Sequence, residues 1–391
     1  MIYYIGYYCR KEDIGIRYGA VSAISKMDYI LSVLERQSDN VEVLSRSYLL
    51  KKKPKTADQE FLIGTSSKLK YFSDIDGTNR LRRFFARANV NRNLKGFCKN
   101  GIEPMDTVVI YHSTDDLPII KYLKDNIKCK VVLEIEEIYS DVHDKGNLRE
   151  KEEEAIKLAD GYIVAVESMK KILPEGRPYV VVNGTYTAEK ERNVSFSDEK
   201  VHCIYAGTFD PTKGGAAAAA AAAFLPEKYH VHILGFGTEE QKQNLINQIE
   251  KVKKNTKCTL TYDGLKTGEE YIQFLQKCHI GLCTQIPDAQ YTETSFPSKI
   301  LVYLANGLRV LSVRIPAVEQ SSVGKILFYY DEQTPEMIAN AIQSVDINSF
   351  YDSREVLSKI DKKIENEMQK MLRNIGSRYD ETNNQCNYSS L

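Results

Sequence analysis

The stretch Tyr205-Ala206-Gly207-Thr208-Phe209-Asp210-Pro211-Thr212-Lys213-Gly214-Gly215 combines glycines, a threonine and one lysine between a strand-like run and eight consecutive alanines, Ala216 to Ala223. Glycines let main-chain N–H groups approach a ligand, and one ammonium beside them suits a pyrophosphate. Alanine is the strongest helix former, so a helix is expected directly behind the loop, with side chains small enough to leave room for phosphate. The plainer alternative is a structural turn. Three further segments share this setting. Ile233-Leu234-Gly235-Phe236-Gly237 is a G-x-G after a strand, without the third glycine of a dinucleotide fingerprint. Close backbone approach to a ligand is the better use of Gly235 and Gly237. Tyr262-Asp263-Gly264-Leu265 ends another strand, with an ordinary turn as its alternative. Thr294-Ser295-Phe296-Pro297-Ser298-Lys299-Ile300-Leu301 leads a short helix that stops at Gly307. Its helix start, with Ser298 and Lys299, forms an anion site.

The first half offers fewer such groups. Glu136 and Glu137 follow the run Lys130 to Ile135, where a carboxylate is either solvated or placed to act as general base. His112 ends the run Thr107 to Tyr111; a surface or helix-capping role is its alternative. Gly19, in Gly15-Ile16-Arg17-Tyr18-Gly19-Ala20, lies on a loop between a first strand and a helix.

The elements around these residues alternate strand and helix from end to end, which predicts parallel sheets covered on both faces. First-half strands are expected at 1–6, 107–111, 130–135, 162–166 and 179–182. A polar, unpatterned segment, 186–199, reads as a linker. A second series follows with strands at 201–206, 230–234, 258–262, 280–283, 309–313 and 326–330. Doubly wound sheets bind ligands at the carboxyl ends of strands, which is where all four glycine-bearing segments fall. Leu357, Ile360, Ile364, Met368, Met371 and Ile375 recur at helical spacing and mark an amphipathic terminal helix. Residues 376–391 are polar and read as a frayed tail.

At 391 residues the chain suits two domains. It carries 53 basic and 53 acidic residues, so no global field draws it to nucleic acid. Locally, residues 51–100 hold 13 Lys/Arg against 4 Asp/Glu. Lys51-Lys52-Lys53-Pro54-Lys55 is a basic loop. In 80–94, Leu81, Phe84, Phe85 and Ala88 share a helical face flanked by Arg82, Arg83, Arg87 and Arg92. These segments are expected to meet an anionic membrane surface, unless the apolar stripe is simply core. The eight cysteines form no C-x-x-C pair, which argues against zinc or a disulfide framework and fits a reducing cytosol. The amino terminus reads as a strand rather than a signal sequence, and no run of 18 apolar residues exists.

In order and spacing, the four second-half segments resemble the donor domain of glycosyltransferase family 4, bacterial enzymes of polysaccharide biosynthesis with the GT-B fold. The resemblance spans about 1–375. It is most specific at Ala206-Gly207-x5-Lys213-Gly214, Leu234-Gly235-x-Gly237 and the stretch Phe296 to Gly307. Val132 to Glu137 is similar to a family strand that often ends in His-Asp, and Asn183-Gly184 to the family's pair before the interdomain link. The resemblance implies two Rossmann-like domains, 1–185 and 200–350, facing each other across a cleft, with helix 351–375 crossing back to the first. It implies transfer of a sugar, with retention, from a UDP-sugar to a hydroxyl of a growing glycan or lipid-linked acceptor. Lys213 would hold the diphosphate, Gly207 and Thr208 would frame it, and Ser298 and its neighbours would face it. Two departures stand out: Thr208 replaces a common arginine, and the family's Glu-x7-Glu falls on Thr294 and Val302. Lys299 would supply the missing cation, while Val302 cannot bind a ribose. No D-x-D ends a strand in the second half, and Asp74-Ile75-Asp76 sits in a polar, basic stretch of the first, so metal is not expected to be required and no cofactor is implied. The rival readings are a nucleotide-sugar epimerase and a non-catalytic sugar-nucleotide-binding subunit.

Overall fold

The computed structural model describes residues 1–51, 57–142, 147–287 and 295–388. The chain divides into two compact units, Met1–Gly184 with the chain from Lys362 onward, and Thr185–Asp361. The segment read as a linker therefore lies within the second unit. The main-chain N–H of Glu189 donates to Ala305 O at 2.9 Å, and Arg192 forms a two-pronged pair with Glu269 at 2.7 Å. Polar, unpatterned sequence marked absence of secondary structure there, not absence of packing.

The first unit is built, among the described residues, on an eight-stranded sheet. Its strands are β1 (Ile2–Gly6), β2 (Val41–Ser45), β3 (Gln59–Ile63), β4 (Ser67–Tyr71), β5 (Thr107–Tyr111), β6 (Lys130–Ile135), β7 (Gly161–Val164) and β8 (Tyr179–Val181). Their order is β3-β4-β2-β1-β5-β6-β7-β8, and only β3, paired with β4, is antiparallel. Val108, Val109, Ile110, Val131, Val132 and Leu133 are fully buried, as expected for parallel strands covered on both faces. The periodicity reading missed β2, β3 and β4. β3 and β4 alternate apolar with Glu and Lys, and their turn is set from outside: Glu35 accepts the amides of Thr65, Ser66 and Ser67.

The second unit holds a six-stranded parallel sheet of β9 (Val201–Thr208), β10 (Tyr229–Phe236), β11 (Thr259–Gly264), β12 (Ile280–Cys283), β13 (Arg309–Val313) and β14 (Phe328–Tyr330), ordered β11-β10-β9-β12-β13-β14. In each sheet the winding reverses once, between β1 and β5 and between β9 and β12. Such reversal points open a crevice at the carboxyl ends of the strands.

The terminal helix runs Ser353–Tyr388. It starts in the second unit, where Ser353 donates to Leu304 O at 2.7 Å, and counts with the first unit from Lys362 onward. All six residues of its predicted apolar stripe are buried, and Arg36 pairs with Glu365 at 2.9 Å. The helix does not stop at 375 as expected. An interior glycine such as Gly376 costs only about 1 kcal/mol, and no proline follows it. No described helix is long and apolar enough to cross a membrane.

Candidate functional site

In the second unit, β9 delivers Gly207 and Thr208 to the reversal point, and a short 3-10 turn, Pro211–Lys213, brings the chain back. Asp210 caps that turn by accepting Thr212 N–H at 2.8 Å. Tyr205 lies beneath the loop, its hydroxyl 2.9 Å from Thr208 O and 3.0 Å from Lys213 O. Gly214 closes the loop at φ +89°, with its carbonyl accepting from the Thr284 hydroxyl at 2.7 Å. A Cβ on Gly214 would stand 1.7 Å from Thr284 O, so only glycine fits, by both φ and space. Thr284 follows β12, so the two strands that flank the reversal are stitched together at this point.

Lys299 arrives from the helix Lys299–Ala305. Its ammonium lies 4.0 Å above the centre of the Tyr205 ring, donates to Lys213 O at 3.3 Å, and would be 3.2 Å from a Cβ on Gly207. Among the described residues no carboxylate is paired with it. Burial, with the nearby Lys213 charge, pulls its pKa down to about 8. The structure therefore gathers Gly207, Thr208, Lys213 and Lys299 around one loop. A half-buried ammonium with no counter-ion among the described residues, beside a second lysine, is a place where an anion is favoured.

The other predicted residues are more scattered. Gly235 does approach a backbone closely, but that backbone is the protein's own: at φ +144° a Cβ would stand 1.7 Å from Gly207 O. Gly235 thus keeps β10 against β9. Gly237 lies beside Phe209, and Gly264 forms an open turn. Ser295 is half-buried, Phe296 buried, Pro297 half-buried, and Ser298 exposed at the start of its helix. Thr294 falls outside the described residues. Val302 is partly exposed on that helix.

In the first unit, Glu136 is ion-paired with Lys26, which also donates to Val182 O at 2.7 Å. Glu137 is exposed. The carboxylate that sequence reading passed over is Glu134, fully buried and accepting from Tyr4 OH at 2.6 Å. Burial and the neighbouring Glu136 raise its pKa well above the usual carboxylate range. It was missed because a glutamate inside a strand reads as outward-facing.

His112 is neither a surface nor a capping histidine. It is buried, with Nε2 2.8 Å from Glu152 Oε1 and Nδ1 3.4 Å from Asp116 Oδ2, and Asp116 is paired with the buried Arg46. Burial lowers its pKa, but the two carboxylates outweigh that and raise it to about 9. With Nε2 bonded to Glu152 and Nδ1 facing Asp116, His112 belongs to a buried charge network. Gly19 sits tightly beside Tyr7 O and Cys9. Asp74 and Asp76 are paired with Arg17 and Arg82.

No protein family matches the chain, and no curated protein matches it. Solved structures do resemble it. An E. coli structure described as bound with UDP-2-fluoro glucose aligns at a TM-score of 0.63 and 9% identity, covering 96% of this chain and 99% of that one. Anabaena HepE in complex with UDP aligns at 0.62 and 12% identity, covering 96% and 99%. The α,α-trehalose 6-phosphate synthase of Burkholderia multivorans aligns at 0.64 and 8% identity, covering 98% of each chain. The fold is GT-B. Identities this low speak for the architecture and not for the chemistry.

The Lys299 geometry makes one prediction about pH. A nucleotide sugar carries no titrating phosphate proton in this range, so the pH dependence of its binding reports the protein. Lys299 is charged below pH 8 and neutral above it. Donor affinity should therefore be constant below about pH 7 and fall roughly tenfold per pH unit above pH 8, until the pKa of the complex is reached. In Lys299→Met that slope should vanish. Calorimetric titrations from pH 6.5 to 9.5 measure it; equal slopes in both proteins would remove Lys299 from the site.

Proposed function

We propose that this protein is a nucleotide-sugar-dependent glycosyltransferase that uses a UDP-sugar and transfers its hexosyl group, with retention, to a hydroxyl of a growing glycan or lipid-linked acceptor. The observation that carries the reading is the loop Gly207–Gly214 with Lys213 and Lys299, at the winding reversal of a GT-B second sheet. Structures of this fold captured with UDP and with UDP-2-fluoro glucose support the choice of carrier. In the chemistry of such a transfer, negative charge builds on the departing diphosphate, and fixed cations stabilise it most where water is excluded. Lys213 and Lys299 supply that charge, so metal is not required. Initial rates should then be unchanged by excess EDTA; complete loss restored by Mg²⁺ or Mn²⁺ would refute this. The reading itself is tested by incubating the protein with UDP-sugars and a bacterial lipid-linked glycan extract and following UDP release. Release only with extract supports transfer. A new nucleotide sugar formed without acceptor would identify an epimerase, and binding without turnover a non-catalytic subunit.

The acceptor is proposed to be met at the inner face of the cytoplasmic membrane. Leu81, Phe84 and Phe85 are 67%, 67% and 52% exposed, so they are not core; Ala86, Val90, Leu94 and Cys98 bury the opposite side of the helix Arg80–Gly101. Of the flanking arginines, Arg82 is paired with Asp76 and Arg87 with Asp115, which leaves Arg80, Arg83 and Arg92 to add about 1 kcal/mol each near anionic lipid. The basic loop at 52–55 lies outside the described residues. Sedimentation with anionic vesicles at low salt is expected, with release at high salt. Phe84→Ser with Phe85→Ser should abolish it without lowering the melting temperature. Wild-type protein that stays in the supernatant would end the membrane proposal.

A further inference from the structure

Four of the chain's six histidines, His202, His230, His232 and His279, meet on one side of the second sheet near the amino ends of its strands. Strand pairing sets the meeting. β9 and β10 are in parallel register with His230 level with His202, and His230 and His232 share a face because they are two residues apart. β11 adds Thr261 level with His232. This end of the sheet is distinct from the donor loop: the six residues from His202 to Thr208 span about 20 Å of strand.

Three of these imidazoles are oriented by a partner on their outer nitrogen. His202 Nε2 lies 2.7 Å from Asp198 Oδ1, His232 Nδ1 lies 3.1 Å from Asp263 Oδ2, and His230 Nε2 lies 3.0 Å from the Thr261 hydroxyl. An ionised carboxylate only accepts, so Asp198 and Asp263 each call for an N–H from their histidine. That leaves His202 Nδ1 and His232 Nε2, 2.9 Å apart, facing one another as lone pairs when both rings are neutral. Two lone pairs repel at that distance unless something positive lies between them. Both residues are nearly inaccessible, 1% and 2% exposed, with the Phe196 ring stacked over them at 4.0 and 5.0 Å. The third histidine is near: one ligating atom from each of His202, His230 and His232 can be chosen so that all lie within 4.8 Å of one another.

We propose that His202, His230 and His232 form a binding site for a divalent transition metal of the zinc class, which lies between the facing nitrogens. Zinc takes imidazole nitrogens at about 2.0–2.1 Å in tetrahedral array, so its ligands stand roughly 3.4 Å apart. The facing pair needs to part by about 0.5 Å to meet that spacing, and the half-buried His230, stacked 3.8 Å from His232, needs to swing off that ring and bring its ligating atom up to about 1.4 Å closer. Asp198, Asp263 and Thr261 then act as the outer partners that hold metal-bound imidazoles in the right tautomer. The fourth position is left to water or a small anion. The ion binds with loss of any proton that the pair shares without it. Its role is structural, tying the segment that carries Phe196 and Asp198 to β9, β10 and β11. It takes no part in transfer, so the site is compatible with EDTA-resistant initial rates. The sequence argument against zinc looked for paired cysteines and was blind to histidines brought together by strand register.

The test uses the intact chain without an affinity tag, stripped of metal by chelator and titrated with Co²⁺. Uptake of one equivalent is expected, with the intense visible absorption of tetrahedral Co²⁺, displaced by Zn²⁺. His230→Gln should weaken uptake by at least about a hundredfold, more than loss of an outer partner costs, while leaving nucleotide-sugar binding unchanged. Should His230→Gln not fold, X-ray absorption on the wild-type Co²⁺ form decides by the number of imidazoles, three being expected. No saturable uptake by wild type, a weak octahedral spectrum, or equal uptake by folded His230→Gln would each overturn the proposal and leave a proton as the bridge.

Discussion

Asp116→Asn is expected to lower the stability of the first unit by about 3–5 kcal/mol, the usual cost of removing one partner from a buried ion pair. Asp116 is fully buried, accepts from Arg46, Ser113 N–H and the Ser113 hydroxyl, and faces His112. Asparagine keeps the shape but strands the Arg46 guanidinium, which is itself 2% exposed. For a unit of this size the melting temperature should fall by on the order of 10 °C. The chain has no tryptophan, so circular dichroism is the natural readout. The network also sets a pH dependence. His112 has its pKa raised to about 9 from an ordinary 6.5. Its contribution is thus complete below pH 6.5 and is lost as pH rises through 9. Glu152 is pushed up by burial, but His112 and the amides of Ser140 and Tyr139 outweigh this and hold it at about 2. Its contribution is present above the unfolded carboxylate range and disappears only as pH falls through 2. Melting of the first unit should therefore be highest between about pH 5 and 6.5 and decline toward pH 9. In His112→Gln the alkaline decline should be smaller. A melting temperature within 2 °C of wild type in Asp116→Asn, at about 2–4 °C per kcal/mol, would show that the network contributes little.

Lys213→Ala is expected to weaken nucleotide-sugar binding by about 10- to 150-fold, the equivalent of one charge-assisted hydrogen bond of roughly 1.5–3 kcal/mol. The loop itself should survive. Its shape rests on Gly214 against Thr284 O and on the main-chain oxygen of Lys213, which accepts from Tyr205 and Lys299 whatever side chain residue 213 carries. Unchanged melting with weakened binding is thus the signature. Gly214→Ala is the contrasting variant: it cannot be built without moving Thr284, so it should lose binding and loop structure together. Equal affinity of Lys213→Ala and wild type for the same nucleotide sugar, measured by calorimetry, would place the diphosphate elsewhere.

The two halves differed in how much their sequence disclosed. The second half was legible because its candidate residues lie at or near strand ends in chain order: Gly207, Lys213 and Lys299 are announced by glycines, a proline and a change of period. Gly235 lies against Gly207 O, since a glycine pattern records close approach and not what approaches. Tyr205 and Thr284, which shape the loop, carry no local signal at all. The first half was legible as strands where both faces are covered, as in Thr107 to Tyr111, and illegible in β3 and β4, where charged residues alternate. Its buried charges were hidden for a different reason. Arg46, the loop that carries His112 and Asp116, and Glu152 come from three separate parts of the chain, and nothing local to any of them shows that they meet. The exposed Phe84 and Phe85 show the converse, since an apolar stripe by itself does not say whether it faces inward.

The central claim, a nucleotide-sugar site on the loop of Lys213, is tested most directly by thermal melting of the wild-type protein and Lys213→Ala with a panel of UDP-, GDP- and ADP-sugars. A ligand at a hundred times its dissociation constant stabilises the folded state by about 2.7 kcal/mol. At least one nucleotide sugar, with UDP as the expected carrier, should raise the wild-type melting temperature by several degrees and raise that of Lys213→Ala much less. No stabilisation of wild type by any member of the panel, or the same stabilisation in both proteins, would contradict it.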